Sequence, residues 1–137
     1  MKSLLALLLL TSTAFAAPPP GTDPNSPSHY YWECFQQRTA KLPCCRSSDG
    51  HYLSPDDWRQ VKPNSVVRSD HYQVRVASKW YDVPWSAVID PPQMQRCGKN
   101  PDAMKRSLAM VWYAPTWSME NAIVDIKLYC FRPGTLF

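Results

Sequence analysis

The chain has 137 residues, 45% of them hydrophobic, with a formal charge of +4, five cysteines, fourteen prolines and only four glycines. Its lysines and arginines are dispersed among acidic residues, so no basic stripe exists to neutralise a row of phosphates, and nucleic acid is not an expected partner. The length suits one core and excludes two.

Residues 1–16 combine one charge at Lys2, an apolar run from Leu4 to Leu10 and the small-residue signature Ala14-Phe15-Ala16. This is the pattern of a secretory signal peptide, and the apolar run is well short of the roughly 20 residues that span a bilayer. Removal of Lys2 leaves a charge of +3. The expected location is periplasmic or secreted, with no membrane attachment after cleavage. Residues 17–28 are rich in proline and lack apolar periodicity, which predicts a disordered tether. Residues 29–137 then form a single disulfide-stabilised domain.

From His29 to Leu42, helical spacing places Tyr31, Cys34, Phe35 and Arg38 on one face, with Ser28 as N-cap and Pro43 as the stop. Tyr31 and Phe35 read as core and Cys34 as a disulfide arm. Ser54-Pro55-Asp56-Asp57 has the chemistry of a second helix start, ended by Pro63. From Ser65 the period becomes two, with Tyr72, Val74 and Val76 on one strand face. A break at Ala77-Ser78-Lys79 leads to Trp80–Val83 as the returning strand. Residues 84–88 suit a helical turn, closed by Asp90-Pro91-Pro92. After the turn-rich stretch Cys97–Asp102, two further strands are expected over 108–113 and 122–131, and in the second Val124, Ile126, Leu128 and Cys130 share a face. The expected fold class is α+β: a small antiparallel sheet of about three to five strands with one or two short N-terminal helices, stapled by disulfides.

Five cysteines in an exported chain imply two bridges and one odd sulfur. Cys44 and Cys45 are adjacent, so each looks for a partner elsewhere, and about a dozen arrangements remain open. The preferred arrangement joins Cys97 to Cys130 and Cys34 to either Cys44 or Cys45. An odd cysteine also permits a disulfide-linked homodimer. The order Cys44-Cys45, Asp49, a hairpin, a lone cysteine and then Tyr129-Cys130-Phe131-Arg132-Pro133 resembles a group of small exported proteobacterial proteins that carry an early CC, a DC after a spacer, and CF with a following P near the C-terminus. That group has no assigned activity, and Gly50 stands where its second motif has cysteine. No functional residue is carried over.

Cys44, Cys45, Asp49 and His51 form the one local cluster with metal-ligating chemistry, which gives copper or zinc binding in the periplasm as an alternative function. The adjacency of the cysteines departs from the separated pairs that zinc favours. A second alternative is a small secreted enzyme using a Cys/His pair, but no motif with a mechanism is present and catalysis is not expected. No cofactor is expected. The remaining feature is aromatic excess: Trp80-Tyr81 and Trp112-Tyr113 are neighbours on opposite strand faces, leaving one member of each pair for solvent. Trp85 and Trp117, in proline-flanked connections, are the candidate interaction surface. The leading expectation is a non-catalytic binding or accessory module of the bacterial cell envelope whose partner is an envelope protein or glycan.

Overall fold

The computed structural model describes residues 23, 25, 27–64, 69–97 and 108–134. The expected signal peptide, most of the Pro-rich tether and the turn-rich residues 98–102 lie outside the described residues. Short helices α1 (Pro27–Glu33), α2 (Cys44–Ser47) and α3 (Pro91–Arg96) accompany two antiparallel three-stranded sheets. One sheet has the order β1 (Gly50–Leu53), β5 (Ala109–Trp117), β6 (Ile123–Arg132), and the other runs β2 (Trp58–Val61), β3 (His71–Val76), β4 (Lys79–Val83). The architecture is a small α+β fold closed by two disulfides.

The β1-β5-β6 sheet is the middle layer, because alternate residues of β5 enter different cores. Met110 and Trp112 join Tyr31, Trp32, Phe35, Cys44, Cys45, Ile89 and Cys130 on the helix side. Ala109 and Val111 join Leu53, Trp58, Val74, Val83, Ala87 and Phe131 between the sheets. Both faces of the sheet are therefore buried where β5 is central. This explains why the Trp112-Tyr113 pair leaves neither ring free: Trp112 is fully buried on one side, and Tyr113 is half-buried against the inter-sheet core.

Helix α1 takes in Pro27 and Ser28, so the expected tether boundary and the expected Ser28 cap both fall inside the helix, which stops at Glu33 rather than continuing to Leu42. The physical reason lies in α3. The Gln93 side chain, 2% exposed, accepts from the Gln36 N–H at 2.9 Å and donates to the Gln36 carbonyl at 2.9 Å, holding groups that a continued helix would use. Gln36 then bridges Pro43, and Lys41 turns the chain at φ 56°.

The second expected helix is reduced to one 3-10 turn, Pro55–Asp57, after which Trp58 enters β2. Ser54 makes no backbone cap. Its hydroxyl donates to the Asp57 carboxylate at 2.6 Å, and burial of Trp58 opposite Val74 outweighs local helix-start chemistry. Asp90-Pro91-Pro92 does not end a helical segment but begins α3. Asp90 accepts from the Gln93 N–H at 2.9 Å, and the prolines occupy first-turn positions whose N–H groups would have no helical partner.

The β3-β4 hairpin follows the alternation of its sequence. Val74 and Val76 are buried, Tyr72 packs on the same core, and Ala77 and Ser78 adopt φ 48° and 65°, suited to a tight hairpin turn. The β5-β6 hairpin is longer than expected, since pairing runs out to Trp117↔Ile123 through Pro115↔Ile126. Its turn is closed by Ser118, which donates its N–H to the Ala122 carbonyl at 2.8 Å and accepts from the Ala122 N–H through Oγ at 3.2 Å. A register shift sets Trp112 opposite Cys130 but Tyr113 opposite Leu128, leaving Tyr129 as the extra residue. The bulge separates Leu128 from Cys130, so the expected common face from Val124 to Cys130 does not form: Cys130 lies in the helix-side core and Leu128 against the inter-sheet core.

The disulfides are Cys34–Cys97 and Cys44–Cys130, which replaces both preferred pairings. Cys34 follows α1 and meets the end of α3, while Cys44 on α2 lies over β6. Each partner is brought in by packing of elements distant in sequence. Cys45, one helical position on, turns into the core instead, where its sulfur accepts from Trp112 Nε1 at 3.4 Å and faces the Trp32 carbonyl at 3.5 Å.

Candidate functional site

A cleft of about 410 Å3 opens at one end of the inter-sheet layer, lined by Gln60, Ser69, Asp70, His71, Tyr72, Val83, Trp85 and Val88. Its floor follows from strand register. Gln60 pairs with Tyr72 and Tyr72 with Val83, so these three side chains form a row across β2, β3 and β4. The chain leaves β4 through Pro84 into the 3-10 turn Trp85–Ala87, where Ala87 enters the core and Trp85 is left at the surface. Val88 then forms a parallel bridge with Phe131, and the Ile89 N–H donates to the Phe131 carbonyl at 2.8 Å, tying this wall of the cleft to the middle sheet.

Trp85 is 69% exposed, yet its indole is not loose. The Arg38 guanidinium carbon lies 4.0 Å from the ring centroid, and Arg38 Nε donates to the Val88 carbonyl at 3.0 Å. The Arg38 N–H also donates to the Ser86 carbonyl at 3.3 Å. The loop after α1 thus props one side of the indole, a cation–π contact strengthened by the fixed position of the guanidinium.

Asp70 and His71 of the lining are each engaged by neighbouring side chains. The Asp70 carboxylate accepts from Lys62 Nζ at 3.2 Å and Gln60 Nε2 at 3.3 Å. His71 Nε2 lies 3.1 Å from Asp82 Oδ1, and its Nδ1 is 3.3 Å from the Ser69 carbonyl. Asp82 accepts a further hydrogen bond from Gln73 Nε2 at 2.7 Å. The result is a part-apolar cleft with an aromatic residue, Trp85, and polar residues Gln60 and Asp70 in its lining, a composition suited to a ligand site.

The other residues singled out from the sequence lie elsewhere. Trp117 is 57% exposed at the far end of β5, on a different element from Trp85. Trp80 turns to the outer face of its sheet beneath Arg59 and Arg75, whose guanidinium carbons are 4.2 and 5.5 Å from its ring centroid, while Tyr81 packs inward. In the cluster Cys44, Cys45, Asp49 and His51, the Cys44 sulfur is bonded to Cys130 and has no thiolate to offer a metal. Burial pushes the Cys45 thiol up to about 11, and His51 stacks on Tyr113 at 4.7 Å with its pKa lowered by burial. No group of three or more His, Cys, Asp or Glu side chains converges among the described residues. The odd sulfur, Cys45, is buried.

Local sequence signals do not find Arg38, Gln60, Asp70 and His71. They come from a loop, a strand end and a strand start, and only the sheet register assembles them. No helix among the described residues is long and apolar enough to cross a membrane. No protein-family model, curated protein or solved structure matches the chain.

Proposed function

We propose that the protein is an exported, non-catalytic binding module of the bacterial cell envelope that holds a glycan segment in the cleft beside Trp85. The observation that carries this reading is the propped indole of Trp85 beside a cleft of about 410 Å3 that Gln60 and Asp70 also line. A sugar ring presents a C–H face and a rim of hydroxyls. The indole suits the first, and the carboxylate and amide suit the second. The paired state of Asp70 disfavours a strongly charged ligand in the cleft, whereas a neutral polyol exchanges hydrogen bonds without stranding a charge. The two disulfides agree with work outside the cytoplasm.

The test is titration of the purified protein with soluble envelope glycan fragments, read by amide chemical shifts and tryptophan fluorescence. Shifts should gather on residues 60, 70–72 and 83–88, and Trp85→Ala should weaken binding at least about tenfold, the scale of losing one aromatic contact. Trp117→Ala should bind as the parent does. If glycan fragments leave these residues unmoved while an envelope protein perturbs them, the ligand class is wrong. If Trp85→Ala has no effect on a ligand that does bind, the cleft is not the site.

A further inference from the structure

The β5-β6 hairpin projects past its neighbours. Strand β1 pairs with β5 only over Ala109–Trp112, so beyond that point the arm is a two-stranded ribbon with Trp117, Met119 and Val124 exposed. Such a ribbon is marginal alone in water, and its free edges are open to strand addition. The two edges are not equivalent. Pro115 has no N–H, and an antiparallel ladder accommodates it opposite Ile126 as a pair without mutual hydrogen bonds, which directs its nitrogen to the outer edge of β5. That edge is blunted. By the same alternation the N–H and C=O of Ile126 face outward on the edge of β6, and no described strand pairs there over residues 123–128.

We infer that β6 is an interface for a second copy of this chain, with the two β6 strands antiparallel about a two-fold axis at Ile126. Three features lead to that occupant and that register. The outward strand reads Ile123-Val-Asp-Ile-Lys-Leu128, rich in β-branched residues and carrying one charge of each sign. A two-fold at Ile126 sets Asp125 opposite Lys127 of the second copy, twice over by symmetry. Neither Asp125 nor Lys127 makes a salt bridge among the described residues, and both are exposed. The third feature limits sliding. Val88 already bridges Phe131, so the seam stops before that residue at one end, and at the other it stops at the register shift that leaves Val124 as an extra residue. Moving the axis one residue to Lys127 would place lysine against lysine. The pairing joins the two middle sheets into one six-stranded sheet of order β1-β5-β6-β6-β5-β1. It does not depend on the cleft, which lies on other elements.

Sedimentation equilibrium across a concentration series tests it. The parent should be a reversible dimer. Lys127→Asp sets like charges opposite at two symmetric positions and should weaken the dimer by about tenfold or more. Combining Lys127→Asp with Asp125→Lys reverses both charges and should restore it, because their cross-strand partners within the chain, Ala114 and Thr116, are uncharged and the other contact of Lys127, 5.3 Å from the Tyr129 ring centroid, is to an uncharged ring. Glu120→Lys in the turn should leave it unchanged. Circular dichroism of each variant confirms the fold, and Ile126→Cys supplies a second readout by forming an interchain disulfide at the axis. A monomeric parent, a dimer indifferent to Lys127→Asp, or failure of the charge-swapped pair to re-form it would each overturn the inference.

Discussion

Removing the buried bridge by Cys44→Ala with Cys130→Ala offers a quantitative test of how the domain is held together. The two bridges interlock: Cys34–Cys97 begins before Cys44 and ends before Cys130. With Cys34–Cys97 intact, the shortest path from Cys44 to Cys130 runs back about ten residues to Cys34, across the bridge, and forward about 33 residues from Cys97. The second bridge therefore closes an effective loop of about 43 residues rather than its full span of 86, and the chain-entropy relation assigns it about 4 kcal/mol. The path for Cys34–Cys97, with the other bridge intact, has the same length. Entropy alone therefore predicts equal losses from deleting either bridge. Packing separates them. Cys44 and Cys130 are fully buried, while Cys34 is exposed and Cys97 half-buried. Truncating both buried sulfurs should add roughly 1 to 2 kcal/mol through lost contacts. Urea unfolding at pH 7, followed by tryptophan fluorescence, should show the buried-bridge variant less stable than Cys34→Ala with Cys97→Ala by that margin. Such a loss is a large part of the 5 to 15 kcal/mol that holds a domain of this size together. Equal stabilities, or a larger loss from the exposed bridge, would refute the packing argument, and a loss under about 1 kcal/mol from both would refute the loop argument.

Gly50→Ala should destabilise the domain by roughly 1 to 3 kcal/mol in the same assay, because the new Cβ would overlap the Met110 methyl and stand 2.9 Å from Trp112 Nε1 in a filled core. The Cys45 thiol should be silent to a thiol reagent in the native protein at pH 7 and react as one equivalent per chain after denaturation without reductant. Its pKa is raised to about 11 by burial, so the stabilising effect of the protonated thiol is present below pH 9 and lost as pH rises towards 11. His51 has the opposite slope. Burial lowers its pKa below the ordinary 6.5, the unfolded chain takes up the proton first, and stability should fall as pH drops through 6.5. His51→Gln should flatten that part of the stability–pH profile.

The features legible in the sequence were those set within one or two turns of chain. The β3-β4 hairpin could be read because Tyr72, Val74 and Val76 alternate with polar residues and the same alternation is what the sheet buries. The α+β class, the presence of two bridges and the exposure of Trp85 and Trp117 follow from similarly local signals: cysteine count, period and proline placement. Where local chemistry was ambiguous, long-range packing chose. Ser54-Pro55-Asp56-Asp57 carries helix-start residues, but Trp58 gains more from the inter-sheet core than a two-turn helix could supply. Gln93 halts α1 from 57 residues away, and the Tyr129 bulge reverses which face Cys130 occupies. Disulfide pairing lies further still from local control, since a bond between Cys44 and Cys130 requires α2 to be packed on β6 before the sulfurs can meet. The cleft belongs to the same class. Arg38, Gln60, Asp70 and Trp85 share no period and no motif, and they become neighbours only because strand register and the Val88–Phe131 bridge fix where three separate connections end.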